Sequence, residues 1–270
     1  MYNSITAAAY LVKDPEVRTT STGKKVVSLR AGVSTSNAKT KCFVDIEYWN
    51  KTAEIAEKYL SKGLDLIHRV LSRPLDIGIS HINSCLSSKK VDMENHEGFK
   101  DFISSLATVF NAHHHGEDEI LFPTFEKKIK DADFSELKKQ HKELHPLVGQ
   151  ITTKVNVDNP SLYQYEEIRN LLKETKDLWI KHKDDEEQIV ELEMEPVMSL
   201  AEQIELNNKL SKHGQSMSEP ANLVLPFLIY NLEGADRDEF TNDMPWILKK
   251  FIVPIVWKSK WEKMRLFLLT

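Results

Sequence analysis

The chain has 270 residues, enough for one or two domains, and its 41% hydrophobic and 29% charged residues favour a packed core over wholesale disorder. A formal net charge of −5 argues against a protein that coats nucleic acid generally. No apolar run reaches the ~18–20 residues that span a bilayer, the opening MYNSITAAAYLVKDPE has no basic stretch ahead of an apolar one, and Cys42 and Cys85 alone make no disulfide framework, so a cytoplasmic chain without a transmembrane segment is expected.

The average charge hides a split. Residues 1–63 carry 10 Lys/Arg against 6 Asp/Glu, a net of +4, and residues 64–270 carry 26 against 35, a net of −9. The texture changes at the same place, from alternating and rich in Val, Thr and Ser to long stretches with helical spacing. Ser4–Val12 and Lys25–Thr35 read as strands with a turn over 21–24 between them. Lys41–Trp49 is the clearest strand, with Val44, Ile46 and Tyr48 on one face and Phe43, Asp45, Glu47 and Trp49 on the other. Residues 51–61 read as a short amphipathic helix that Gly63 stops.

The words MYNSIT, LVKDPEVRTTSTGKKV and FVDIEYWNKTAEIAEKYLSKG make residues 1–63 resemble the start of bacterial single-stranded DNA-binding proteins. The resemblance implies an OB-fold barrel whose exposed aromatics stack bases along a basic groove. It places Phe43 and Trp49 as stacking residues and Lys24, Lys25 and Arg30 as phosphate contacts. The family goes on with two further strands that close its barrel. Here LDLIHRVLSRPLDIG follows Gly63 and is not strand-like. An incomplete OB-like segment with unpaired edges is expected, binding single-stranded DNA weakly or not at all, with Phe43 and Trp49 packing against whatever covers it.

Four long helices follow. Leu64, His68, Leu71, Leu75, Ile79, Ile82 and Leu86 predict helix over about 64–88. Phe102, Leu106, Val109, His113, Glu117 and Ile120 predict it over 97–129. Leu137, His141, Leu144, Val148 and Ile151 predict it over 135–155, and Leu171, Thr175, Leu178, His182, Glu186 and Ile189 over 162–194. Polar breakers at 88–96, 131–133 and 156–160 separate them, which predicts a mainly α chain built on an up-down-up-down bundle.

Each apolar stripe is interrupted by polar residues. His113 precedes Glu117 by four, His182 precedes Glu186 by four, and His141 precedes His145 by four, so each pair shares a helix face. Burying an imidazole and a carboxylate together is costly unless something pairs with both; a metal does so, and this donor set suits iron, manganese or zinc. In an antiparallel bundle His68, His113, His141 and His182 reach one level, whereas His81 falls roughly 20 Å away at ~1.5 Å per residue. Within the triplet His113–His114–His115, periodicity disfavours His115 but does not separate His113 from His114.

HHHGEDEILFP, QHKELHPLV, HKDDEEQIV and LIHRVLSRPLD, in this order and spacing, resemble the hemerythrin-type HHE cation-binding domain. The resemblance implies four helices around a non-haem di-iron centre. It selects His113 and Glu117 from the triplet region, and gives His68, His113, His141 and His182 as terminal ligands with Glu117 and Glu186 as bridges. His145 is an extra ligand in some branches, although Pro146 beside it predicts a kink that turns it away.

Residues 201–270 read as a polar helix ending at Gly214 and further short helices capping the bundle, with His213 exposed. A membrane-surface helix is the alternative for the tail, given Trp246, Trp257 and Trp261 beside Lys249, Lys250, Lys258 and Lys260. The expected organisation is thus an OB-like segment over 1–63, a metal-binding bundle over 64–200 and a helical extension over 201–270. No P-loop, dinucleotide fingerprint or nucleophile elbow appears, which disfavours an ordinary enzyme. The expected function is binding or sensing of O2, NO or reactive oxygen species, or holding iron, with single-stranded DNA binding as the alternative.

Overall fold

The computed structural model describes residues 9–11, 16–19, 25–34, 41–49, 59–194, 197–242 and 244–270. Strands β1 (Ala9–Leu11), β2 (Glu16–Thr19), β3 (Lys25–Ser34) and β4 (Lys41–Trp49) form one antiparallel sheet with β3 as its spine. β4 pairs with β3 from Val26↔Trp49 to Ser34↔Lys41, while β2 and β1 share the other edge, at Glu16↔Ser28 to Thr19↔Lys25 and Ala9↔Val33 to Leu11↔Ala31. The edge expected from one opening strand is therefore made by two short ones. Pro15 stands in the sequence between them and has no N–H to give to a ladder.

Helix α1 spans Tyr59–Ser87, α2 His96–Gly116, α4 Ser135–Val155 and α5 Leu162–Ile189. α2 continues through a π-helical turn, Glu117–Leu121, into the short α3, Phe122–Glu126; α5 continues into another π turn, Val190–Met194. α1 packs on α2 and α5, and α4 packs on α2 and α5, closing a ring of four. Neighbours run antiparallel: late-α1 His81 touches early-α2 Phe99 with ring centroids 4.7 Å apart, while early-α1 His68 meets late-α2 His113 at 5.1 Å.

The bundle is held by one stripe per helix. On α5 the stripe is Tyr165, Ile168, Leu172, Thr175, Trp179, His182 and Glu186, all buried at alternating spacings of three and four. Ser161 starts this helix with a capping box, its side chain accepting from the Gln164 N–H. Gly63, expected to stop a helix, lies inside α1 instead. Its φ is not positive, and the apolar stripe that follows it, Leu66, Val70, Leu71 and Leu75, rewards continuation with burial.

Helix α6 (Leu200–Met217) lies over the end of the bundle where the π turns emerge; its Leu206 joins Leu121, Phe122, Phe125, Val190 and Met194 in a second apolar cluster. The opposite end is closed by α7 (Ala221–Tyr230), α8 (Gly234–Phe240) and the segments Leu248–Val256 and Lys258–Phe267. There Phe267 packs on Phe99 and Phe102 at 5.5 and 5.4 Å, Arg73 donates to the Phe267 carbonyl at 2.9 Å, and the Leu269 N–H donates to the Tyr230 carbonyl at 2.8 Å. The tail thus caps the bundle with Trp261 buried, while Trp246, Ile247, Phe251, Ile255 and Val256 face outward. No described helix is long and apolar enough to cross a membrane.

Candidate metal centre

The polar interruptions of the four stripes converge at the end of the bundle beneath α6. Two groups of potential ligands form there. One ligand atom from each of His68, His113, Glu117 and Glu186 lies within 4.8 Å of the others, and the same holds for His114, Glu117, His141 and His182. Glu117 belongs to both groups. Glu186 also faces both, its Oε2 lying 3.1 Å from His68 Nε2 and 3.7 Å from His182 Nε2. The site draws on α1, the end of α2 and its π turn, the start of α4 and the end of α5.

Seven polar side chains in a sealed interior would ordinarily satisfy one another. These do not. Among the described residues, every buried side-chain nitrogen or oxygen without a hydrogen-bond partner belongs to this site: His113 Nε2, both ring nitrogens of His114, both oxygens of Glu117, His141 Nε2, His182 Nε2 and Glu186 Oε1. Two of them approach closely without hydrogen-bond geometry, with Glu117 Oε1 2.8 Å from His113 Nδ1 and Glu117 Oε2 3.1 Å from His141 Nε2. Orphaned imidazole nitrogens facing shared carboxylates are the arrangement that cations would complete, so the residues present fit a metal.

The far sides of three imidazoles are fixed. His68 Nδ1 meets Glu187 Oε1 at 2.7 Å, His141 Nδ1 meets Asp118 Oδ1 at 3.1 Å, and His182 Nδ1 meets Gln140 Oε1 at 3.0 Å. Gln140 is itself held by donating to Asp185 Oδ2 at 2.7 Å. Such outer partners orient the rings, and on His141 and His182 they leave Nε2 facing the site without a partner. Trp179 stands edge-on to His68 at 5.1 Å and donates from Nε1 to Ser72 Oγ at 2.9 Å, walling the site from the apolar core.

Burial and charge pull the titrations apart. Burial depresses His68, but hydrogen bonds to Glu186 and Glu187 outweigh it and hold this imidazole up at about 9. Burial drives His182 down to about 3 and His114 well below the usual histidine range. Burial also pushes Glu117 up, yet His113 and His141 prevail and keep it well below the carboxylate range, whereas burial and the charge of Glu117 raise Glu186. Without a cation, the two carboxylates thus titrate apart, Glu186 above Glu117.

All six expected ligands, His68, His113, Glu117, His141, His182 and Glu186, lie in these two groups. His145 does not: its Nδ1 is 3.1 Å from Asn111 Oδ1, it is exposed, and it lines a groove of about 610 Å³ between α2 and α4. Pro146 does not end α4, because it and Lys142, whose carbonyl loses its partner, both face water. His81 sits at the other end among Phe99, Tyr165 and Phe267. His114 is the residue that spacing left undecided: it is three residues from Glu117 and His113 is four, and both steps return to one face. Lys25 and Arg30 lie on β3 and Phe43 and Trp49 on β4, while Lys24 and residues 51–58 of the expected short helix lie outside the described residues.

Comparison with known families agrees with the bundle and the sheet in turn. Residues 58–191 match the Hemerythrin HHE cation binding domain, and residues 2–67 match the Single-strand binding protein family. The two matches overlap at the start of α1. No solved structure matches the chain.

Proposed function

We propose that this chain, whose residues 58–191 carry a hemerythrin-type cation-binding domain, holds a binuclear non-haem iron centre that binds or senses O2, NO or reactive oxygen species, or stores the iron itself. The observation that carries this reading is the concentration of orphaned buried nitrogens and oxygens in two ligand groups that share Glu117. His68, His113 and Glu186 would hold one cation, His114, His141 and His182 the other, with Glu117 between them. Glu187, Asp118 and Gln140 orient the imidazoles, and Trp179 and Phe110 exclude water from the core side. These seven side chains would hold the cations and would leave room beside them for an exogenous ligand. Bound iron would supply reversible electron transfer and those open positions.

Protein made under iron-replete conditions is expected to carry about two irons per chain and to absorb in the near ultraviolet by ligand-to-metal charge transfer. Glu117→Ala and Glu186→Ala should each lower the iron content sharply. Full iron retention in both variants, or a wild-type chain that takes up no metal, overturns the proposal; zinc in the same site would keep the centre and discard the gas and redox chemistry.

The match of residues 2–67 favours a second reading for the sheet, contact with single-stranded DNA through the net positive segment 1–63. A labelled oligonucleotide should then bind with an affinity that falls as salt rises. An unchanged anisotropy at low salt removes this reading.

A further inference from the structure

The turn that carries Glu117 inward presents another ligating set outward. His115 and Glu119 are four residues apart and lie on the solvent side, with their side chains 45% and 57% exposed. His213, from α6, closes over them. Its Nε2 lies 3.0 Å from His115 Nδ1, the two rings stack at 5.1 Å with their planes 11° apart, and His115 Nε2 is 3.2 Å from Glu119 Oε1. One ligand atom from each of the three lies within 4.8 Å of the others.

We propose that His115, Glu119 and His213 form a separate surface site for a single divalent transition cation of the zinc class. Water can serve each of these groups alone, so a mutual hydrogen bond between two wet imidazoles gains little. Yet two segments separated by 98 residues bring nitrogen to nitrogen, with a carboxylate beside them. Two nitrogens bound tetrahedrally at ~2.1 Å stand ~3.4 Å apart, close to the separation found here. Two imidazoles and one carboxylate with open positions suit zinc, copper or nickel, and are a poor match for calcium or magnesium, which take oxygen donors. The cation would clip α6 to the turn two residues beyond Glu117, linking the extension to the wall of the buried centre. The sequence points outward here for the reason it points inward next door: His113 and Glu117 share one face, and His115 and Glu119 share the other.

The test is zinc titration of the full-length chain by calorimetry, with His213→Ala, Glu119→Gln and Glu117→Ala compared with wild type. His213→Ala and Glu119→Gln should each lose one exchangeable zinc equivalent and the rise in Tm that zinc gives the wild-type chain, while iron content stays at the wild-type level. Glu117→Ala, which disrupts the buried centre, should keep that equivalent. Wild-type zinc stoichiometry in both surface variants overturns the proposal and leaves the imidazole pair as a hydrogen bond. Loss of the equivalent in Glu117→Ala overturns it too, because the zinc then belongs to the buried centre. Should His213→Ala fail to fold, Glu119→Gln, on an exposed side chain, decides alone.

Discussion

In the proposed centre, His68 would be a ligand that is prepared before a metal arrives. Held up at about 9 by Glu186 and Glu187, it carries a proton at neutral pH in the metal-free chain and must give it up to coordinate. Metal uptake at pH 7 is therefore expected to release a proton that His68→Ala does not, read by calorimetry in buffers of different ionisation enthalpy. The signs for stability follow from linkage. The His68 contribution is fully present below its unfolded value of 6.5 and is lost as pH rises toward about 9. His182, lowered to about 3, contributes above 6.5 and loses its contribution as pH falls toward 3. His68→Ala should flatten the alkaline side of the metal-free Tm profile; an unchanged profile would mean the pair contributes nothing. Gln140→Ala frees the far nitrogen of His182 and should weaken metal binding by ~10–100-fold. Equal metal retention under a chelator challenge would remove Gln140 from that role.

At the scale of elements, the π turns explain how helices with a regular stripe deliver several ligands at once. The turn Glu117–Leu121 begins at the shared carboxylate, and the turn Val190–Met194 begins four residues after Glu186. Wider turns of this kind re-aim side chains at functional sites. They also let Leu121, Phe122 and Val190 leave the ligand face and bury beneath α6. Trp179, wholly buried between Phe110 and the imidazoles, joins the apolar and ligating parts of α5. Trp179→Ala should cost about 3–5 kcal/mol in denaturant unfolding, whereas Ser161→Ala, which removes only the cap of the same helix, should cost about 1 kcal/mol.

Over the whole molecule, the two ends of the bundle do different work. One end gathers the orphaned donors and is covered by α6; the other is apolar and is sealed by the chain's last segment. Gly98 marks how closely that seal sits, since a Cβ there would overlap the Lys263 carbonyl oxygen. Gly98→Ala should loosen the terminal segment and destabilise the fold by about 1–3 kcal/mol or more, seen as a lower Tm with the metal content kept. A folded chain that binds metal is stabilised by mass action, so chelation of protein loaded with iron alone should lower the Tm of wild type more than that of Glu117→Ala.

The helical stripes, their breakers and the level at which the histidines meet are all legible in the order of residues. α4 begins and ends at the expected residues, and His68 and His113 face each other as helix length requires, because a repeat of three and four records which face is buried. The sequence also carried the family words in HHHGEDEILFP and HKDDEEQIV. Only the tertiary structure decided that His114 joins His113, that Gly63 sits within a helix, that the carbonyl freed by Pro146 meets water, and that Glu187, Asp118 and Gln140 stand behind the imidazoles. Those outcomes depend on neighbours far along the chain, on whether a freed carbonyl meets water or protein, and on a π turn whose registry no local spacing encodes. The same holds for His213, a lone surface histidine in sequence that meets its partner, His115, only when α6 folds back across the bundle.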